Sequence, residues 1–512
     1  MALSRGTALE EFLAPLHIDR DKAHDLSRRF LETFRELSLS STTQFLATPI
    51  LDSILRPIND RGHARHLAID IGGTNLRVGF IELLDQKPQA NGQLPRVARP
   101  TDRIKRHLER SWPIDDHLKN ENEESLFLWI GQCIAEVVAQ GCETFHLPRD
   151  MPLLLGVTFS FPMEQRSLSE ATVMAMGKGF AISSNADLGV SLQEGYSKAN
   201  DTGLPPIRVA AIANDSVSTL VSFIFQYDET VRRRASMGLI LGTGCNATVP
   251  LKLRSLHRDK WPPNLSLLPG EALEDVKITV NTEWSINGSA PPLRQLGLVS
   301  RWDEILDSQN ETPGFQPLEY MTAGRYLGEL GRIMLLDYIA RVLTLEEEAL
   351  PARLRERHSL TTTFLSHFKP LDPPKLLAKL QDEFPESTSA REFAWTETMA
   401  EALYRIAKAI EFRAAGIVGA AVMALLQLAE EIPDQYSQNA GPFEVGVGYT
   451  GGCIVHFQDY LSDCQIFIDG LVTRQYGEAA RCKVTLSPCH DGGITGAGIL
   501  VAAAATSTNT AM

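Results

Sequence analysis

The chain has 512 residues, 44% of them hydrophobic, 22% charged and 7% aromatic, a composition that builds a sizeable core and excludes a disordered or fibrous protein. At roughly 150 residues per domain, such a length makes two to four domains or one large bilobal unit and excludes a single small module. Forty-nine basic against 63 acidic residues give a formal charge of -14, which repels a nucleic-acid backbone or an anionic membrane over most of the surface, so an anionic ligand needs a local pocket of its own.

In chain order, Met1 to Phe12 carries Glu10 and Glu11 where a signal peptide has basic and then apolar residues, so export is not expected. Helical spacing from Ala23 to Leu37 makes the chain begin with helices, and no strand signal precedes His66. His66 to Leu83 holds two apolar runs hinged on Gly72 and Gly73 and predicts a hairpin. A polar stretch from Arg99 to Glu124, a helix-like run from Ser125 to Val138 and a strand ending at Phe161 follow in alternating α/β order. Arg232 to Arg234 reads as a solvated connection between a helix and a strand. Met237 to Leu251 then repeats the first hairpin's design, strand, glycine turn with threonine, Asn, strand, which points to a duplicated fold.

The second half is mostly helical. Ala323 to Leu343 and Thr398 to Leu428 are the longest periodic stretches, with an irregular charged segment from Glu346 to Arg391 between them. The run Ala414 to Leu426 is too short for a span of ~20 residues and reads as a buried helix, so no membrane span is expected. Glu444 to Gly452 and His490 to Ala505 supply a strand-to-glycine turn and a turn-to-helix junction. The seven cysteines are scattered without a CxxC pair, which argues against zinc or redox chemistry and for a reducing, cytoplasmic compartment.

Asp70-Ile-Gly-Gly-Thr-Asn75 has the makings of a phosphate cradle: glycines let backbone N–H groups approach an anion and Thr74 adds a hydroxyl donor. Asp70 could hold Mg2+ through water; the bland alternative is a tight hairpin turn. Gly242-Thr243-Gly244 offers a second cradle, while no Walker A or GxGxxG loop occurs. Ser160, Lys178, Asn214-Asp215, Asn246, Glu283 and Glu319 are amides, hydroxyls and charged groups suited to a polyhydroxylated substrate. Asn214-Asp215 taken alone reads first as a helix cap, and Glu283 and Glu319 could equally be surface carboxylates.

Taken together these motifs resemble the eukaryotic-type hexokinases. The resemblance rests on IDIGGTNLRV (Ile69 to Val78), LLGVTFSFPMEQ (Leu154 to Gln165), GKGF (Gly177 to Phe180), ANDSVSTL (Ala213 to Leu220), LGTGCNA (Leu241 to Ala247), VNTEWSING (Val280 to Gly288) and Pro313 to Leu330, in family order from about residue 23 to 504. It implies an α/β, actin-like sugar-kinase fold with two lobes closing over a central cleft. The implied divisions are an N-terminal helical segment (1–65) on the large lobe, a small lobe (66–213), a large lobe (214–445), and a C-terminal segment (446–512) that completes the nucleotide site and returns to the small lobe. ATP and Mg2+ are the implied cofactors and a hexose the implied substrate. Asp215, assisted by Lys178, would be the catalytic pair, with Asp215 taking the proton of the sugar 6-hydroxyl. Ser160, Phe161, Lys178, Asn214, Asn246, Glu283 and Glu319 would hold the sugar. Asp70, Gly72, Gly73, Thr74, Asn75, Arg77, Thr243, Gly244, Gly324, Arg325, Gly451 and Gly452 would surround the nucleotide, with Asp70 serving the metal through water.

The chain also departs from the family's pattern. TKGF becomes GKGF at Gly177, preceded by Met176; GxDGS becomes GYTGG, with Thr450 for the aspartate and Gly452 for the serine; NTEWG ends in Ser285; and NPG becomes TPG at Thr312. The final SGxG-type loop reads Gly493-Ile494-Thr495-Gly496, where Ile494 is expected to stand bulky against the nucleotide. Two function classes stay open: an ATP-dependent hexose kinase of weakened affinity, and a hexokinase-like regulatory or sugar-sensing protein with a protein partner.

Overall fold

The structure is a computed structural model; it describes residues 5–52, 65–84, 103–115, 117–118, 122–174, 186–200, 203–227, 229–263, 265, 270, 272–385, 393–434, 441–478 and 481–509. Thirteen strands occur among them: β1 (Leu46–Leu51), β2 (Arg65–Ile71), β3 (Asn75–Leu83), β4 (Ile104–Pro113), β5 (Leu153–Phe159), β6 (Met163–Gln165), β7 (Ala171–Val173), β8 (Ile207–Ala213), β9 (Arg233–Leu241), β10 (Cys245–Lys252), β11 (Lys277–Asn281), β12 (Phe443–Thr450) and β13 (Cys482–Pro488).

They form a five-stranded sheet, β4-β3-β2-β5-β8, a six-stranded sheet, β1-β11-β10-β9-β12-β13, and the small pair β6-β7. With β1 set aside, the two large sheets share one plan. An antiparallel meander (β2-β3-β4, β9-β10-β11) is extended from its first strand by two parallel strands (β5-β8, β12-β13). The repeat of hairpin design in the sequence is thus a repeat of topology.

Parallel strands need crossovers, and these are helices: Glu123–Phe145 lies between β4 and β5, and the 32-residue helix Glu397–Leu428 precedes β12. Both are long and apolar enough to cross a bilayer, but over half of the apolar stretch of the first and nearly all of that of the second is buried inside the protein. The strongest feature is an exchange of helices. Asp215–Gln226 leaves β8 and packs on β9 of the other sheet, while Gly492–Asn509 leaves β13 and packs on β2, β5 and β8 of the first. The two helices also pack on each other, so closely that a Cβ on Gly496 would stand 2.1 Å from the Ser218 carbonyl oxygen. Their apolar faces share one core, separate from the two that underlie the sheets.

Several expectations are corrected. A strand, β1, does precede His66; it is short, contains Pro49, and takes the outer edge beside β11, where a missing N–H is tolerated. The polar stretch Arg99 to Glu124 contains β4, whose IKRHLERSWP sequence hides a strand because an edge strand is best protected by charge. Arg232 to Arg234 is no mere solvated link: Arg233 opens β9 and pairs with Glu444 at 3.3 Å, and Arg234 pairs with Asp52 at 2.7 Å and Glu431 at 3.1 Å. The segment Glu346 to Arg391 is not irregular throughout, since it holds the helices Ala352–Arg355, Thr362–His367 and Pro373–Glu383.

Candidate active site

The glycine turns of both hairpins face one cleft of about 470 Å³ between the sheets, a volume suited to small-molecule ligands. On the first sheet, β2 carries Asp70 one residue before its end at Ile71 and turns through Gly72 and Gly73, closed by Gly72 N–H donating to the Asn75 carbonyl at 2.9 Å. Asn75 Nδ2 donates to Thr74 Oγ1 at 3.0 Å. Arg77 stands opposite Asp70 in the ladder, and its guanidinium is held by Asp491 at 2.8 Å, which Arg106 of β4 also grips at 2.8 Å. Asp491, Arg106 and the neighbouring His490 escaped the sequence reading. Only the adjacency of Asp491 to a glycine turn could have marked it.

On the facing sheet, Gly242-Thr243-Gly244 makes the matching turn, with Gly242 N–H on the Gly244 carbonyl at 3.0 Å. Gly451 lies against it at φ 125, and a Cβ there would stand 2.3 Å from the Leu241 carbonyl oxygen, so only glycine lets the end of β12 rest on this turn. Gly451, Gly452, Thr243 and Gly244 all line the cleft. Gly324 and Arg325 donate backbone N–H bonds to the Gly242 and Thr243 carbonyls at 2.8 and 3.2 Å and line an adjoining pocket behind the turn.

The polar wall suited to a sugar lies between these turns. Asn214 is the cap of the helix Asp215–Gln226: its Oδ1 accepts from Ser216 N at 2.9 Å and Ser216 Oγ at 2.7 Å. Capping turns Asp215, the first helical residue, into the cleft. Glu283 and Glu319 are buried rather than surface carboxylates. Glu283 Oε1 accepts from Asn281 at 2.9 Å and Asn246 at 3.3 Å, and Glu319 Oε2 accepts from Cys245 N–H at 3.0 Å. Glu283 sits at φ 43, a strained conformation for a non-glycine residue, and Gln44 braces it by donating to its carbonyl oxygen at 3.0 Å. Ser160 and Phe161 line the same wall. Gln316, missed in the sequence, also lines it and donates to Ser285 Oγ at 3.4 Å. Lys178, with Met176 and Gly177, lies outside the described residues.

The expectation for Ile494 is wrong. Its side chain is fully buried in the core between the exchanged helices, and Gly492 and Gly493 present the loop to the cleft instead. Gly493 is there for closeness: a Cβ would stand 2.6 Å from Asp70 Oδ2.

Burial first, and then the charge of Asp215, push the Asp70 carboxyl up to about 7, against the pull of Arg77. Two acidic groups that repel one another beside a glycine cradle are a donor set that a hard divalent cation would relieve, so the residues fit Mg2+. Without ligand the sign is fixed. The folded-state value lies above the ordinary 3.8, so this contribution is complete below that pH and is lost as pH rises through about 7. The ligand-free Asp70→Asn variant is therefore expected to melt above the parent at pH 8, with the gap narrowing toward pH 5; calorimetry of the two proteins at both pH values checks it.

Two profiles described as hexokinase match residues 8–225 and 236–503, the second alone spanning over half the chain. The chain belongs to the hexokinase family. Hexokinase-1 of Schizosaccharomyces pombe is 28% identical over 96% of this chain and 90% of its own length, and hexokinase-1 of Arabidopsis thaliana is 28% identical over 85% and 78%. Among solved structures, a Schistosoma mansoni hexokinase complexed with glucose superposes with a TM-score of 0.72 at 23% identity, covering 98% of this chain and all of that one. The fold is therefore the actin-like sugar-kinase fold, and the hexokinase family makes the chain a sugar phosphotransferase that uses ATP.

Proposed function

We propose that the chain transfers the γ-phosphoryl group of ATP to the 6-hydroxyl of a hexose such as glucose, at the cleft described above. The observation that carries this is the location of Asp215, on a capped helix start between the amide and carboxylate wall and the paired glycine turns. Asp215 would accept the proton of the 6-hydroxyl as its oxygen forms a bond to phosphorus and the bond from phosphorus to the ADP oxygen breaks. Asn214, Asn246, Glu283 and Glu319 would fix the sugar by paired hydrogen bonds, with Ser160, Phe161 and Lys178 completing the site. The turns at Gly72–Asn75 and Gly242–Gly244, with Gly451 and Gly452, would receive the phosphates on backbone N–H groups, and Gly324 and Arg325 would meet the rest of the nucleotide. Mg2+ at Asp70, through water, would supply neutralisation of phosphate charge.

Glutamine at Glu319 keeps an acceptor for Cys245 N–H but loses the charge that a sugar hydroxyl would meet. Glu319→Gln is expected to raise the KM for glucose about ten-fold or more, the value of one charged hydrogen bond, with a smaller change in the KM for ATP; initial rates over both substrates check it. Weakened affinity is favoured by Gly452, which brings no hydroxyl to the nucleotide side. A second reading, a sugar-binding regulatory protein with a protein partner, draws on that same loss. ADP release from ATP and Mg2+ decides between them. The kinase predicts release that saturates with glucose and is not supported by 6-deoxyglucose; glucose binding with no release selects the regulatory reading.

A further inference from the structure

The described lining of the cleft is poor in cations. Among its described lining side chains, the basic ones are Arg77, already shared with Asp491, and the imidazoles of His456 and His490, against Asp70, Asp215, Glu283, Glu319 and Asp491. A triphosphate entering this cleft needs donors, and the sequence has removed one at Gly452, where the family carries serine.

His456 closes the short helix Gly452–His456, four residues on from Gly452. Residues spaced by four lie on one helical face, with the later side chain reaching back over the earlier one. The geometry bears this out: His456 Cδ2 lies 4.0 Å from the position a Cβ on residue 452 would take, and among the described residues no other side chain beyond the two chain neighbours comes as near. The imidazole thus stands beside the space that a serine side chain would occupy. It lines both the main cleft and the adjoining pocket bordered by Thr243, Gly324 and Arg325, so it sits where the two meet. Arg325 in that second pocket is paired with Glu311 at 3.2 Å.

We infer that His456 is a nucleotide-binding residue of this chain, donating an imidazole N–H to a phosphate oxygen of ATP in place of the hydroxyl lost at Gly452. An imidazole is longer than a serine hydroxyl and reaches the same space from one turn further along; when protonated it also brings charge. This inference rests on the kinase reading of the cleft.

Calorimetric titration of the full chain with ATP and Mg2+, and separately with adenosine, tests it without turnover. Replacing exposed His456 by alanine is expected to weaken ATP binding about tenfold, the value of one charge-assisted hydrogen bond, and to leave adenosine binding unchanged. Adding Gly452→Ser to His456→Ala is expected to recover most of the loss, because the space beside residue 452 is open to a side chain. An ATP Kd within twofold of the parent, an equal loss for adenosine, or no recovery with serine overturns the inference while the kinase reading stands. A parent chain that binds no ATP overturns both.

Discussion

Replacing Asp215 by asparagine is expected to lower kcat for glucose phosphorylation by about two to four orders of magnitude, the usual contribution of a placed general base. Asparagine keeps the size and an acceptor for Ser216 N–H, which Asp215 Oδ1 now receives at 2.8 Å. The cap itself belongs to Asn214, so the helix start survives the change. Glucose binding is accordingly expected to fall by less than about tenfold, the value of one neutral hydrogen bond. Initial rates and equilibrium titration on one preparation separate these effects. Rates that fall only as far as affinity does would assign Asp215 to sugar binding alone.

The second large effect is on stability. Arg413, in the middle of the helix Glu397–Leu428, is wholly buried and is held by Asp303 through Nη1 at 2.6 Å and Nη2 at 2.8 Å, with Nη1 also on the Leu298 carbonyl at 3.1 Å. Asp303 is in turn the partner of Ser300 in a capping box. Asp303→Ala strands a guanidinium in the core beneath the six-stranded sheet and breaks that cap. The expected cost is about 3 to 5 kcal/mol, as for other broken buried pairs. Adding Arg413→Leu is expected to return a substantial part of the loss, because an apolar side chain leaves no buried charge behind. Thermal unfolding of the parent, both single variants and the double variant checks this. Additive losses would mean that the two residues act independently.

What the sequence disclosed follows from where the physics is local. The hairpins around Gly72 and Gly242 combine apolar alternation with glycine turns, so both strands and turn are written in adjacent residues. Edge strands are different. β4 is charged because an exposed edge must resist pairing, and β1 carries a proline, so each lacks the signal that marks a central strand. Site residues set by a local cap or turn, such as Asn214 and Gly451, were legible, while the direction of a side chain at a loop-to-helix junction was not. Ile494 turns inward because the helix it enters packs between β2 and Asp215–Gln226, a relation set by residues far away in the sequence. Gln44 beneath Glu283 is equally remote, at a separation of 239 residues. The departure at Gly452 was visible, but the imidazole beside it emerges only once a helix is known to run from Gly452 to His456.

The most direct test of the account is the identity of the product. Phosphorus NMR of the full chain incubated with ATP, Mg2+ and glucose is expected to show glucose 6-phosphate growing in step with ADP, and neither growing on that timescale with Asp215→Asn. ADP that accumulates at the same rate without glucose, or a phosphoryl group on another sugar oxygen, would contradict the arrangement of Asp215 between the sugar wall and the nucleotide turns.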